Sequence, residues 1–167
     1  AQRRILTVPE VFMHSSNVGS VKMALDVGTD DFKGFLKDLG LFKKPDLEIP
    51  ETGAPIVPSH WEEIDTIAVS FGHSIAVSPL QLVASASSIV NGGLLVSPTL
   101  VMDKTLVGKK NKSMRVVSEK TAHRMRQLMR LVVTDGTGGN ANVPGYNVGG
   151  KTGTAQVAKT DGAGYEE

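Results

Sequence analysis

The chain has 167 residues, enough for one domain with a core of its own. Its 18 basic and 17 acidic side chains leave a net charge of +1, without the basic surplus that nucleic-acid binding uses. There is no cysteine, which excludes disulfides and thiolate metal sites, and no apolar run approaches the roughly 18 residues of a membrane span.

Val8 to Asp26 reads as helix, turn, helix. Pro9 suits a first helical turn, Ser15-Ser16-Asn17 breaks the pattern, and Val18, Val21 and Leu25 resume it at helical spacing. A helix follows from Thr29 to Leu39, with Thr29 as N-cap, Asp30 and Asp31 at the positive end and Gly40 as the stop. Phe32, Phe35, Leu36 and Leu39 form its apolar stripe. Leu41 to Gly72 carries Pro45, Pro50, Pro55 and Pro58 and reads as a long irregular excursion, with Trp61 as a packing anchor. Ser78-Pro79 opens a third helix with Leu80, Val83, Ala84 and Val90 on one side, and Gly92-Gly93 closes it. Leu94 to Met102 is β-like, with Pro98 marking an edge or bulge. Lys109-Lys110-Asn111-Lys112 reads as a solvated hairpin tip or loop. Ser118 caps a fourth helix striped by Ala122, Met125, Leu128, Met129 and Val132. A Gly/Asn loop from Asp135 to Gly145 leads to a strand from about Tyr146 to Ala158.

Two short motifs carry chemistry. Ser15-Ser16-Asn17 precedes Lys151-Thr152-Gly153-Thr154 at domain-scale separation. Acyl transfer at a serine needs a nucleophile, a proton relay, an oxyanion hole and a grip on the substrate. Lys151 against Ser15 can relay a proton to a leaving amine. Asn17 offers a donor and an acceptor to a substrate amide. On a strand, Thr152 and Thr154 turn their hydroxyls the same way, a cradle for a carboxylate, and Gly153 lets another backbone approach. Each motif alone has a plain structural reading: Ser-x-Asn as a helix cap, Lys-Thr-Gly as an exposed strand end. The pairing, in this order, raises the signal.

Other residues are weaker candidates. His14 adjoins Ser15, but helix neighbours do not face each other, so it reads as structural. His60, His73 and His123 lack metal-ligand spacing. Gly145 to Thr152 fits the phosphate-binding pattern Gly-x4-Gly-Lys-Thr, but Gly153-Thr154-Ala155-Gln156 suits a strand where a helix is required.

Longer stretches carry a resemblance: Phe12-Met-His-Ser-Ser-Asn-Val-Gly19, Ser70-Phe-Gly-His-Ser-Ile-Ala-Val-Ser-Pro-Leu-Gln-Leu82, Ile89-Val-Asn-Gly-Gly93 and Gly145 through Gln156. Over nearly its whole length the chain resembles the transpeptidase domain of class B penicillin-binding proteins, most closely the division-specific, FtsI-type septal enzymes. The resemblance implies an α+β fold of the penicillin-binding/β-lactamase-like kind, a helical cluster plus an antiparallel sheet flanked by helices. It implies catalytic roles for Ser15, Asn17 and Lys151, and substrate or β-lactam binding by Thr152, Gly153 and Thr154, the Thr154 N–H serving the oxyanion hole. It further implies D,D-transpeptidation of peptidoglycan stem peptides, acylation by β-lactams, no metal or organic cofactor, and a place on the periplasmic side of the inner membrane. Partners would be a septal glycosyltransferase and other division proteins, with any membrane anchor outside this chain.

The third family motif, Ser-x-x-Lys, supplies the nucleophile, and no lysine here has a serine three places before it. The chain is therefore expected to be a piece of the domain, without the Ser-x-x-Lys segment and the closing strands and helix, and inactive alone. A catalytically dead scaffold for cell division is the alternative, and a nucleotide binder a remote one.

Overall fold

Six helices, a two-stranded sheet and one 3-10 turn make up the regular structure of the computed structural model over its described residues, 5–102 and 113–153. Helix α1 (Val8–Met13) starts at Thr7, whose amide donates to Glu10 Oε2 at 2.8 Å while its hydroxyl accepts from Glu10 N at 3.5 Å. Ser15, at φ +54°, breaks the chain direction, and Ser16 Oγ accepts from Gly19 N at 3.2 Å to start α2 (Asn17–Val27). The two helices touch closely, since a Cβ on Gly19 would lie 2.5 Å from both γ-carbons of Val11.

Helix α3 (Thr29–Asp38) begins one residue earlier than the cap reading of Thr29 requires. Gly28, at φ +91°, makes the turn from α2 directly into α3, so Thr29 is already helical and its side chain caps nothing. Gly40 ends the helix at φ +79°, in the left-handed region that glycine enters freely.

The Leu41–Gly72 excursion contains a helix that the prolines mask, α4 (Glu63–Val69). Its signal was the pair Glu62-x-x-Asp65, for the Glu62 amide donates to Asp65 Oδ2 at 2.9 Å. The helix buries Thr66 and Val69. Trp61 does anchor this stretch: its Nε1 donates to Thr66 Oγ1 at 2.9 Å and its ring lies 5.5 Å from Phe42.

Helix α5 (Pro79–Val90) is capped as its sequence implies, Ser78 Oγ accepting from Gln81 N at 3.2 Å. Its buried side is not the apolar one. Gln81, Ser85 and Ser88 face inward, while Leu82 and Val83 are 58% and 60% exposed. The cause is what α5 packs against. Carbonyls at the end of α3 and beyond need donors, which Gln81 Nε2 gives to Lys43 O at 2.7 Å and Ser85 Oγ to Leu39 O at 2.7 Å. The Ser78 amide in turn donates to Gln81 Oε1 at 3.0 Å, so replacing Gln81 by alanine would leave both the Lys43 carbonyl and the Ser78 amide without their side-chain partner. Loss of about 1–3 kcal/mol is expected in urea denaturation; a variant as stable as the parent would mean that water replaces the amide there.

Strand β1 (Leu94–Val96) pairs antiparallel with β2 (Ser113–Arg115), with Leu95 opposite Met114, and β1 lies against α5. The strand is shorter than the expected Leu94–Met102. Past Pro98 the chain turns to Glu48, whose carboxylate accepts from the Thr99 hydroxyl and, at 3.0 Å, from Leu100 N. The Thr99 hydroxyl, followed by the Leu100 amide, holds that carboxyl below its ordinary pKa. The lysine cluster 109–112 lies outside the described residues.

Helix α6 (Glu119–Thr134) is the axis of the fold, packing on α1 and α5. Ser118 Oγ caps it through Thr121 N at 3.1 Å, and its stripe points inward, with Ala122 and Val132 fully buried. A 3-10 turn (Gly139–Ala141) follows. The strand expected from Tyr146 to Ala158 is absent over its described part, 146–153. That segment finds no ladder partner among the described residues and lies instead along α6, with Gly150 N donating to Met129 O at 3.1 Å.

Candidate active site

Ser15 owes its position to the tight link between α1 and α2. Ser15 N donates to Phe12 O at 3.3 Å and Ser16 N to Val11 O at 3.0 Å, closing α1, while the Ser16 side chain opens α2. The one residue left between them takes the left-handed conformation, at a cost of roughly 1–2 kcal/mol for a side chain with a Cβ. Such a cost, at an exposed hydroxyl, is where a functional constraint is to be sought.

Lys151 reaches that hydroxyl from across the chain. Its Nζ donates to Ser15 Oγ at 2.8 Å and to Thr152 O at 3.0 Å. Helix α6 sets this reach. Arg130 Nη1 donates to Val148 O at 2.8 Å, two residues after which Gly150 is bonded to Met129. Gly149 lies so close to the helix that a Cβ there would meet backbone atoms of Met129 and Arg130 at 3.3 Å. Partial burial lowers the pKa of Lys151, which makes its ammonium a readier proton donor.

A cleft of about 760 Å³ opens beside this pair, lined by Ser15, Asn17, Phe71, His73, Thr137, Thr152 and Gly153. Ser15, Asn17, Lys151, Thr152 and Gly153 are thus brought to one place from the two ends of the described chain. Thr154 lies outside the described residues. Three cleft residues were not singled out by the motifs. The Phe71 and His73 rings lie 5.1 Å apart between centroids, tilted by 53°, and His73 Nδ1 is buried without a hydrogen-bond partner. Thr137 Oγ1 lies 2.8 Å from Thr152 Oγ1. Its one signal in the sequence was the pair of flanking glycines in Gly136-Thr137-Gly138.

The phosphate-binding alternative needs Lys151 to open a helix. None begins at Lys151–Gly153, the Gly150 amide is committed to Met129 O, and Lys151 turns to a serine hydroxyl. His14 is exposed at the end of α1.

All 167 residues match the family model described as the penicillin-binding protein transpeptidase domain. The chain is 37% identical over 159 residues to the probable peptidoglycan D,D-transpeptidase FtsI of Caulobacter vibrioides, covering 93% of this chain and 27% of that protein. It is 34% identical to the stage V sporulation protein D of Bacillus subtilis, covering 92% and 25%. Among solved structures it is similar to the transpeptidase domain of Burkholderia pseudomallei penicillin-binding protein 3, with TM-score 0.85 and 32% identity over 97% of this chain and 49% of that one. Penicillin-binding protein 3 of Mycobacterium tuberculosis complexed with aztreonam gives TM-score 0.87 and 29% identity over 96% and 39%. The chain spans about a quarter of the length of these curated relatives, at 27% and 25%.

Proposed function

This chain belongs to the penicillin-binding protein transpeptidase family, and from that premise we propose that it forms one wall of a serine D,D-transpeptidase site acting on peptidoglycan stem peptides. The observation that carries this reading is the 2.8 Å bond from Lys151 Nζ to Ser15 Oγ. Because the ammonium donates, Ser15 accepts, and its own hydroxyl hydrogen is free to face the cleft.

In the reaction a serine attacks the carbonyl of the penultimate D-alanine, its hydroxyl proton passing to the lysine of its own Ser-x-x-Lys motif, and the terminal D-alanine leaves as an amine. Its nitrogen takes the Ser15 hydrogen as the carbon–nitrogen bond breaks, and Ser15 regains a proton from Lys151. The lowered pKa of Lys151 favours that transfer. Asn17 binds the substrate amide, Thr152 and Thr154 its carboxylate, and the Thr154 N–H the oxyanion. A β-lactam, which mimics the D-alanyl-D-alanine end, would occupy the same cleft and acylate the same serine. No residue of this chain occupies the nucleophile's place in a Ser-x-x-Lys motif, so these 167 residues are inactive alone.

The similarity to an FtsI-named protein supports a septal role on the periplasmic side, with a septal glycosyltransferase and other division proteins as partners. Among the described residues no helix is long and apolar enough to cross a membrane. A non-catalytic scaffold would have no chemical use for a lysine held on a strained serine.

Fluorescent penicillin tests the reading. The 167-residue chain is expected to acquire no covalent label, and a longer version that includes a Ser-x-x-Lys segment to acquire one. Label on the short chain would place the nucleophile among these residues. An unlabelled longer version would turn the reading towards a scaffold. Loss of the protein in its host should block septation; normal division would remove the septal assignment.

A further inference from the structure

The cleft contains a hydroxyl that neither motif accounts for. Thr137 Oγ1 lies 2.8 Å from Thr152 Oγ1, and both side chains line the cleft. Thr137 does not reach this place by chance of a loose loop, because its two glycine neighbours are packed tightly. A Cβ on Gly136 would meet the carbonyl oxygen and Cγ of Met13 at 2.7 Å and the Cα of Val132 at 3.0 Å. A Cβ on Gly138 would lie 3.2 Å from Val132 O, the oxygen to which Gly138 N donates at 2.9 Å. The Gly-Thr-Gly turn is thereby wedged between the last residue of α1 and the end of α6. It is fixed against Met13, two residues from Ser15, and against the helix that seats residues 148–150.

Two hydroxyls at this distance share one hydrogen, and either can donate. A carboxylate in the cleft removes the choice. It accepts only, so Thr152 must turn its hydrogen to the ligand, and the oxygen of Thr152 is then left to accept from Thr137. The chain Thr137 to Thr152 to carboxylate is polarised in one direction, which strengthens each bond. We propose that Thr137 is a positioning residue for carboxylate-bearing ligands of this cleft, setting the orientation of the Thr152 hydroxyl. The proposal rests on the transpeptidase reading above, in which Thr152 grips the ligand carboxylate.

The test uses the longer protein with its Ser-x-x-Lys segment and compares acylation rates by benzylpenicillin and by its methyl ester. Thr137→Val keeps the shape and deletes the hydroxyl. It should slow acylation by the free acid about 3- to 10-fold, as for one lost hydrogen bond, and slow the ester clearly less. Thr137→Ser should restore the parent ratio, and Thr137→Ala, which cannot clash, should repeat the valine result. Equal slowing of acid and ester, or failure of serine to rescue, would make Thr137 merely structural and overturn the proposal. An unchanged rate with the acid in Thr137→Val would overturn it while leaving the transpeptidase reading in place. A parent protein that neither ligand acylates would remove both.

Discussion

Replacing Lys151 by methionine lowers acylation of the longer, Ser-x-x-Lys-containing protein by about 10²- to 10⁴-fold, the usual range for removing a positioned proton donor. Methionine keeps much of the length of the side chain and none of its charge. The bond to Ser15 Oγ at 2.8 Å makes the two residues one unit, so Ser15→Ala added to the lysine change should cost little more. Additive losses would show that the residues act separately. The pH profile gives a second reading. Ser15 accepts from the ammonium, so the rate should fall on the alkaline side as Lys151 loses its proton, below the ordinary lysine pKa of 10.5. That limb should vanish in the methionine variant. Stability runs the other way. A lysine whose folded pKa is lowered opposes folding at pH values below that pKa, and the opposition disappears as pH rises through the unfolded value. At neutral pH Lys151→Met should therefore melt no lower than the parent while its acylation is lost.

The largest stability effect is expected outside the cleft lining, at Gly93. Its φ is +95°, and a Cβ there would lie 2.0 Å from Val117 O. The carbonyl cannot yield easily, because the turn is tied in both directions. Gly93 O accepts from Val116 N at 2.8 Å, and Arg115 Nη1 bridges Gly92 O at 2.9 Å and Val117 O at 3.1 Å. Gly93→Ala should lose roughly 2–5 kcal/mol, combining left-handed strain with forced overpacking, a large share of the ~5–15 kcal/mol that ordinary domains possess. Gly92 supplies the control, since its φ is +99° but nothing lies within 4 Å of its Cβ position. Gly92→Ala should show the strain alone. Equal urea midpoints for the two variants would mean that the Val117 contact carries no weight.

Helix ends were the most legible part of this fold, because caps act locally. Ser78, Ser118 and Gly40 do what their chemistry implies. Which side of a helix is buried proved harder to read. Periodicity turns α5 with its apolar residues inward, yet the neighbouring carbonyls of Leu39 and Lys43 select Ser85 and Gln81. Nothing near Ser85 in the sequence reveals that a carbonyl 46 residues away will need it. Over its described part, 146–153, the expected strand after Tyr146 is absent for a related reason. Extended residues become a strand only beside a partner, and the described neighbour of this segment is a helix. Of the candidate site, the motif residues were visible as types and spacing. Thr137 was not, since its contact depends on how two glycines let a turn seat against α1 and α6.

Ser15 and Lys151 are 136 residues apart in sequence. Bringing such ends together in an unfolded chain costs about 4 kcal/mol of loop-closure entropy, far more than one exposed hydrogen bond returns. The contact therefore cannot nucleate folding; it can only form after α1 and α6 have docked. A molecule with either end frayed has no proton relay, however native its middle. In the longer, Ser-x-x-Lys-containing protein, covalent labelling by a β-lactam would then count completely folded molecules, and burst amplitude during refolding would follow the last docking step while helical signals had already risen.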